Sequence, residues 1–516
     1  MTLGIDFGTT RTIVAYADRG NYPVVSFFDA DDEPHCHFPS VVADTSDGLV
    51  YGFAALEAAA DGARLTRSFK RLLASPDVFA ATPVCIGDRE VPLIDVLTGY
   101  AQALREALAT KSSIAADVSA GGPGMLDTVL AVPAHAHGPQ RYLTLEAFRA
   151  AGFTATGMVN EPSAAGFEFT HGQSRTLNSR RSRVVVYDLG GGTFDASLVN
   201  ADGTDHQVMD STGLNTVGGD DFDAGLARCA MRAAGRTREE LGAKVYAQLL
   251  EDCRDAKEHL SPQSKRIPLE VDGAAVTVTV ADFYEEVAPL VKKTIQAMAP
   301  LVGGLDHEAL TDSEVAGIYL VGGASGLPLV PRLVKAQFGR RVFRSPYPAA
   351  STAIGLAIAA DEGAGYSLSD RLSRGFGVFR EGDGGRQVSF DPLVDRSVLV
   401  DRHSDVSVSR TYRAAHNAGW FRFVEYGTLD EFGGPRGQIV PFAEVVFPFD
   451  AALQAMENES PGSVAAVPVE RTEIGPLIEE RYTIDRHGIV SVTLSDQDTG
   501  FSRTYELKGE KTATQV

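Results

Sequence analysis

The sequence predicts an α/β region over residues 1–360, a polar linker at 361–371, an all-β region over 372–510 and a polar tail at 511–516. Three observations carry this. Short β-branched runs alternate with longer Ala- and Leu-rich stretches of helical period through the first region, which argues buried mixed sheets. Past residue 371 the apolar pattern switches to period two, the mark of antiparallel strands. A glycine-rich hairpin also occurs twice in the first region, so that region reads as two related lobes.

Taken in order, GIDFGTTRTIVAY (4–16) is the first hairpin and VYDLGGGTFDASLV (186–199) the second. Each has an apolar strand, an aspartate, a large apolar residue, a glycine-threonine or glycine-glycine turn and a second apolar strand. The lead aspartates, Asp6 and Asp188, are 182 positions apart. TVLAVPA (128–134) before RYLTLEAFRAAGF (141–153), and GIYLVGG (317–323) before LPLVPRLVKAQF (327–338), are strand-turn-helix units, with Gly152 a helix end. DEGAGYSLSDR (361–371) has linker composition. The β region follows as RQVSF (386–390), SDVSVSRTY (404–412), GWFRFVEY (419–426) and RYTIDRHGIVSVTLSD (481–496), separated by turn residues. No amphipathic helical stretch follows Leu507.

Composition narrows the function. At 44% hydrophobic and 22% charged residues the chain is ordinarily globular, and 516 residues call for two or three domains. A formal net charge of −21 repels phosphate backbones and anionic lipid, so nucleic acid and membrane surfaces are poor partners. Cys36, Cys85, Cys229 and Cys253 are scattered without a CxxC pair, as free thiols in a reducing compartment would be. His35-Cys36-His37 has no further ligands nearby and is not read as a metal site. MTLGIDFGTT lacks the basic and apolar regions of a signal peptide, and no apolar run is long enough to span a membrane. The expectation is a cytoplasmic protein.

Glycine tips lack Cβ atoms, so their N–H groups can converge on an anion. Thr9, Thr10 and Thr193 add hydroxyls at the tips. Two such hairpins, one per lobe, would clamp a polyphosphate. Aspartates repel phosphate, so Asp6 and Asp188 imply an intervening cation; Mg²⁺ bridges phosphate to one or two carboxylates while keeping several waters.

Six stretches then occur in order: GIDFGTTRTIVA, VLAVPAHAHGPQR (129–141), NEPSAAGFEF (160–169), VYDLGGGTFDASLV, VGGDDFD (217–223) and IYLVGGASGLPLVPRLV (318–334). Together they resemble the 70-kilodalton heat-shock (DnaK-type) chaperones of the actin and sugar-kinase superfamily. The likeness continues through YTIDRHGIVSVTLSDQDTG (482–500) and so spans nearly the whole chain. It implies an actin-like ATPase domain of two duplicated ribonuclease-H-like lobes with ATP or ADP between them, followed by a β-sandwich. Asp6 and Asp188 match the acids that hold magnesium through water. Gly8, Thr9 and Thr10 match the first phosphate loop; Gly190, Gly191, Gly192 and Thr193 match the second, closed by Asp195. Lys70, in SFKRLL, matches the lysine that meets the γ-phosphate, and Glu161, in NEP, the carboxylate that positions the attacking water. Gly218 and Gly219, and Gly322 and Gly323, fall in matching glycine turns, while Lys257 and Ser261 match contacts to the ribose and base.

The nucleoside end departs from the family. Arg254 stands for a glutamate, Glu258 for an arginine that stacks on adenine, and Gly326 for the other stacking arginine. Loss of two guanidinium faces, worth about 1–2 kcal/mol each when desolvated, implies weaker or less selective adenine binding. The family's leucine-rich linker is replaced by DEGAGYSLSDR, which puts nucleotide-driven docking of the β domain in doubt, and the helical lid is absent.

In the family the β-sandwich holds an extended apolar peptide by main-chain hydrogen bonds and a side-chain pocket. Trp420, Phe421 and Phe423 are the densest aromatic cluster of that region, read as sheet core. The favoured reading is an ATP-hydrolysing chaperone-like protein that binds unfolded or extended polypeptide, with a possible co-chaperone. A nucleotide-gated module with little hydrolysis and one dedicated partner protein is the alternative, and a small-molecule kinase the third.

Overall fold

The computed structural model describes the chain except residues 121–125, 174–180, 305–313, 340, 373, 383–386, 397, 402–403, 438, 508–513 and 516. The tail expected at 511–516 therefore lies, apart from 514–515, outside the described residues. Two compact units divide the chain. One takes Met1–Arg71, Ala103–His135 and Val159–Leu368; the other takes Leu72–Gln102, Ala136–Met158 and Ser369–Val516.

In the first unit the same sheet plan is built twice. The strand Leu3–Phe7 lies parallel to Leu126–Val132 on one side and antiparallel to its hairpin mate Arg11–Tyr16 on the other. Likewise Arg183–Leu189 lies parallel to Val315–Val321 and antiparallel to Phe194–Asp202. Both aspartate-bearing strands are thus central, and nearly every residue on them is buried. A central strand covered on both faces must be apolar throughout, which VVVY and LGI satisfy. The repeat seen in the sequence is a repeat of topology.

The helices Gly219–Ala234, Val280–Met298 and Leu329–Phe338 cover the second sheet and share its core. Two further helices, Glu161–Gln173 and Ser351–Ala360, pack against each other. Their contact is close enough that a Cβ on Gly355 would sit 1.7 Å from the Ala164 carbonyl oxygen. The polar segment read as a linker takes up structure: Asp361 accepts a hydrogen bond from the Gly363 amide (3.0 Å) to cap a short 3₁₀ turn, and Ser367–Arg371 is a strand.

The second unit contains the β region as two antiparallel sheets. One orders Gln387–Val394, Gly375–Gly382, Ala418–Tyr426 and Val440–Pro448; the other orders Val406–Arg413, Leu477–Ile484, Val490–Asp496, Ser502–Glu506 and Thr514–Gln515. Phe376, Phe423 and Phe447 from the first meet Tyr482, Val492 and Leu494 from the second in one core, as in a sandwich. The aromatic run in 419–426 is split by the strand's period of two: Phe421 and Phe423 are buried, Trp420 only partly. The β region also carries a helix, Ala451–Glu459, capped by Asp450.

Also in this unit, the helix Gly138–Ala150 ends at Gly152 in the left-handed conformation (φ 88°), as its sequence position implied. At its start the Gly138 amide donates to Glu425 Oε1 of the β region at 2.9 Å, and buried His137 lies 3.7 Å from Glu425 Oε2. A carboxylate at a helix N-terminus meets free N–H groups and the positive end of the dipole. No helix among the described residues is long and apolar enough to cross a membrane.

Candidate functional site

Both hairpin tips lie in the first unit and face each other. In the first, a Cβ on Gly8 would sit 2.3 Å from the Arg11 carbonyl oxygen, so the turn admits only glycine. In the second, the Gly190 amide donates to the Thr193 carbonyl at 3.0 Å. A Cβ on Gly191 would lie 2.8 Å from Thr10 Cγ2, and one on Gly192 would lie 2.9 Å from Thr9 Oγ1. Any side chain there would force the tips apart. The amides of Gly219 and Asp220 donate to Gly190 and Gly191 (3.0 and 2.8 Å), tying the start of the next helix to the second tip.

Beside the tips opens a cavity of about 1100 Å³. Of the residues singled out in the sequence, Asp6, Gly8, Thr9, Thr10, Lys70, Glu161, Asp188, Gly190, Gly191, Thr193, Gly219, Lys257, Ser261, Gly322 and Gly323 line it. Three do not. Gly192 is turned to Thr9, Gly218 packs on the Gly191 backbone, and Asp195 is buried one layer behind, opposite Asp188 in the strand register.

Lys70 is 6% exposed. Its Nζ donates to the Phe7 carbonyl, lies 3.2 Å from Glu161 Oε1 and sits over the Phe7 ring. Ser68, two residues earlier, holds a left-handed φ of 54° and donates to Asp220 Oδ2 at 2.7 Å. The turn leads directly into the 3₁₀ stretch Phe69–Ala74, which carries Lys70. Glu161 is the first residue of its helix, where a carboxylate is favoured.

Four carboxylates share this space with one ammonium. Burial, then the nearby Glu161, pushes Asp6 up to about 7 against the pull of Lys70. Burial and Glu161 likewise push Asp195 up to about 8, and Asp188 well above the usual range. Backbone hydrogen bonds from Ala134 and His135, and the charge of Lys70, pull Asp195 the other way without offsetting its burial. An all-oxygen, electron-rich pocket of this kind suits a hard divalent cation. No three His, Cys, Asp or Glu side chains among the described residues converge to cage an ion directly, so the fit is to one that keeps most of its water.

The far end of the cavity explains the departures. Arg254 is absorbed by Asp220 (3.3 Å), Asp223 (3.4 Å) and Glu251 (3.2 Å). Lys257 pairs with buried Asp223 at 2.6 Å and donates to the Gly219 carbonyl. Glu258 forms an ion pair with Arg11 of the first hairpin. Arg344, which sequence reasoning missed, ends the strand Val342–Arg344 and lines the cavity; its Nη2 lies 3.3 Å from where a Cβ of Gly326 would be. A guanidinium from a different element therefore stands next to the position that lacks one.

Comparison with known proteins places this geometry. The family described as Hsp70 protein matches residues 2–370. The chain belongs to the Hsp70 family. It is 33% identical to chaperone protein HscA of Enterobacter sp. (strain 638) over 98% of this chain and 78% of that protein. Chaperone protein HscA of Escherichia coli O17:K52:H18 matches equally, and that of Klebsiella pneumoniae strain MGH 78578 is 28% identical over the same shares. As an Hsp70 chaperone it binds ATP or ADP with Mg²⁺ and is an ATPase, its two-lobed α/β region followed by a strand-rich one.

The raised carboxylates have a measurable consequence. At pH 7 the apo site holds protons that a nearby cation makes unfavourable, so binding of Mg-nucleotide is expected to release protons at pH 7 and fewer at pH 9, which lies above the values of about 7 and 8 to which Asp6 and Asp195 are pushed. Calorimetry in two buffers of unlike ionisation enthalpy checks this; buffer-independent heats at pH 7 would contradict it.

Proposed function

We propose that this chaperone hydrolyses ATP through the two apposed hairpins and holds extended polypeptide on its β region. Asp6 and Asp188 hold Mg²⁺ through water; the ion, when bound, neutralises phosphate charge. Gly8, Thr9 and Thr10 on one side and Gly190, Gly191, Gly192 and Thr193 on the other take the phosphates. Gly218 and Gly219 support the second tip, and Gly322 and Gly323 close the nucleoside side, with Lys257 and Ser261 toward the ribose.

Lys70 offers positive charge to the γ-phosphate, and Glu161, fixed by its ion pair with Lys70, orients the attacking water. Asp195, one layer behind and opposite Asp188 in the strand register, closes the second tip and supports Asp188 and Thr193 from the buried side. The observation that carries the reading is the close approach of Thr9 and Thr10 to Gly192 and Gly191 with the Lys70–Glu161 pair beside it. ATP turnover with and without an unfolded polypeptide tests it. Stimulation supports the chaperone reading, whereas a slow rate indifferent to polypeptide favours service to one dedicated partner.

Arg344 supplies the face for the base that Gly326 lacks. Arg344→Ala is expected to weaken ATP binding about five- to thirtyfold, the equivalent of about 1–2 kcal/mol, and to narrow the gap between ATP and GTP. Calorimetric titration with both nucleotides measures it; an unchanged ATP constant would remove Arg344 from the role.

A further inference from the structure

A second cavity, of about 470 Å³, lies within the β region. Its lining is unlike the rest of the chain in charge. Arg380, Arg410, Arg413 and Arg471 line it with a single carboxylate, Asp391, and His416. The chain as a whole has 47 basic and 68 acidic residues.

Its floor is locked. Arg380 makes a bidentate pair with fully buried Glu480 (both 2.7 Å) and reaches Asp391 at 2.9 Å. Tyr412 and Tyr482 donate to Glu480 as well. The floor is thus a neutralised, rigid plate that presents no loose charge.

The rim is different. Arg413 is exposed and Arg410 half-buried, and among the described residues they meet carboxylates at 3.4 Å (Asp498) and 3.5 Å (Asp391), pairs too long and too solvated to compete with a well-placed ligand. One wall is apolar, formed by Trp420, Phe421, Phe449 and Val469. Arg410 to Arg413 belong to the strand Val406–Arg413, which is last in its sheet, so one side of its backbone has no strand partner among the described residues. Such an edge accepts an extended segment by main-chain hydrogen bonds.

Resting on the reading that the β region holds polypeptide, we propose that this cavity selects extended segments in which acidic residues flank a large apolar one. The apolar side chain enters against Trp420 and Phe449, and the carboxylates meet Arg410 and Arg413. Aromatic walls with guanidinium also suit single-stranded nucleic acid, but the overall charge of −21 opposes a phosphate backbone.

Trp420 is the chain's one tryptophan, so its emission reports this cavity. The test titrates the full-length protein with a tryptophan-free decapeptide carrying glutamates around a central Leu-Phe, and with twins carrying glutamine or lysine instead. The glutamate peptide is expected to bind about tenfold or more tightly than the lysine twin at low salt, with the gap narrowing at 0.5 M NaCl as roughly expected from screening. The double change Arg410→Glu with Arg413→Glu should invert the order, and inversion itself shows that the variant folds. Arg410→Gln with Arg413→Gln, a milder pair, should abolish the order. Equal or reversed affinities in the wild type overturn the charge rule while leaving polypeptide binding in place. If no peptide binds, the reading of the β region falls and this inference with it. If an oligonucleotide displaces the glutamate peptide, the cavity serves nucleic acid and the inference is overturned.

Discussion

Replacing Lys70 with alanine is expected to slow single-turnover ATP hydrolysis about 100- to 1000-fold. Lys70 is the cation paired with Glu161 among the described residues, and it faces a pocket holding Asp6 and Asp188 as well. Removing it strips positive charge from the place where charge develops on the γ-phosphate. It also frees Glu161 from the contact that fixes its oxygen, so water is held less well. The carboxylates then lose the partner that lowers Asp6 and Asp195, and both shift further toward the protonated form. ADP affinity should change far less than the chemical step, since ADP lacks the γ-phosphate. Glu161→Ala should be severe too, and the double variant should be little worse than Lys70→Ala alone, because the two act as a unit. A rate within about fivefold of wild type, set against the loss expected of a transition-state contact, would show that hydrolysis does not run through this pair.

The hairpins are legible in the sequence because their information is local. Asp6 and Gly8, or Asp188 and Gly190, sit two residues apart, and the turn that joins them is fixed by glycine's freedom at the tip. The helix end at Gly152 is legible for the same reason. The nucleoside end is not. Gly326 reads as a loss, yet the space beside it is filled by Arg344, eighteen positions on and at the end of a strand. No periodicity or motif links them, and only the crossing of the chain does. Arg254 likewise reads only as an arginine standing for a glutamate, and the three carboxylates that hold it come into view only in the fold. In the β region, GWFRFVEY reads as one aromatic cluster, but pleating sends Phe423 to the core and leaves Trp420 at a cavity. The arginines around it are spread from 380 to 471, so their convergence is a product of sheet order alone. The helix Ala451–Glu459 is hidden because its nine residues carry too short a pattern to stand out from the strands on either side.

Gly355→Ala is the substitution expected to damage the fold most while lying outside the cavity lining. A Cβ at that position would fall 1.7 Å from the Ala164 carbonyl oxygen and 2.3 Å from its carbon, which is backbone and cannot rotate away. The two helices would have to separate, at a cost of about 1–3 kcal/mol or more for overpacking. Separation matters for catalysis because Ala164 is one turn beyond Glu161 on the same helix, so the carboxylate that orients water moves with it. The partner helix is tied to the site as well: Thr352 donates to Asp188 Oδ2, and a Cβ on Gly4 would strike Ala353 and Ala357. One methyl group should therefore lower the melting temperature and the hydrolysis rate together. Gly172→Ala, on the same helix as Glu161, provides the contrast. Its added Cβ meets nothing nearer than Glu168 Oε1 at 4.0 Å, so alanine should be neutral or stabilising by up to about 1 kcal/mol. Thermal unfolding and single-turnover rates of the two variants separate the cases. If Gly355→Ala melts like wild type, the helices give way without strain, and the link from this packing contact to Glu161 is wrong.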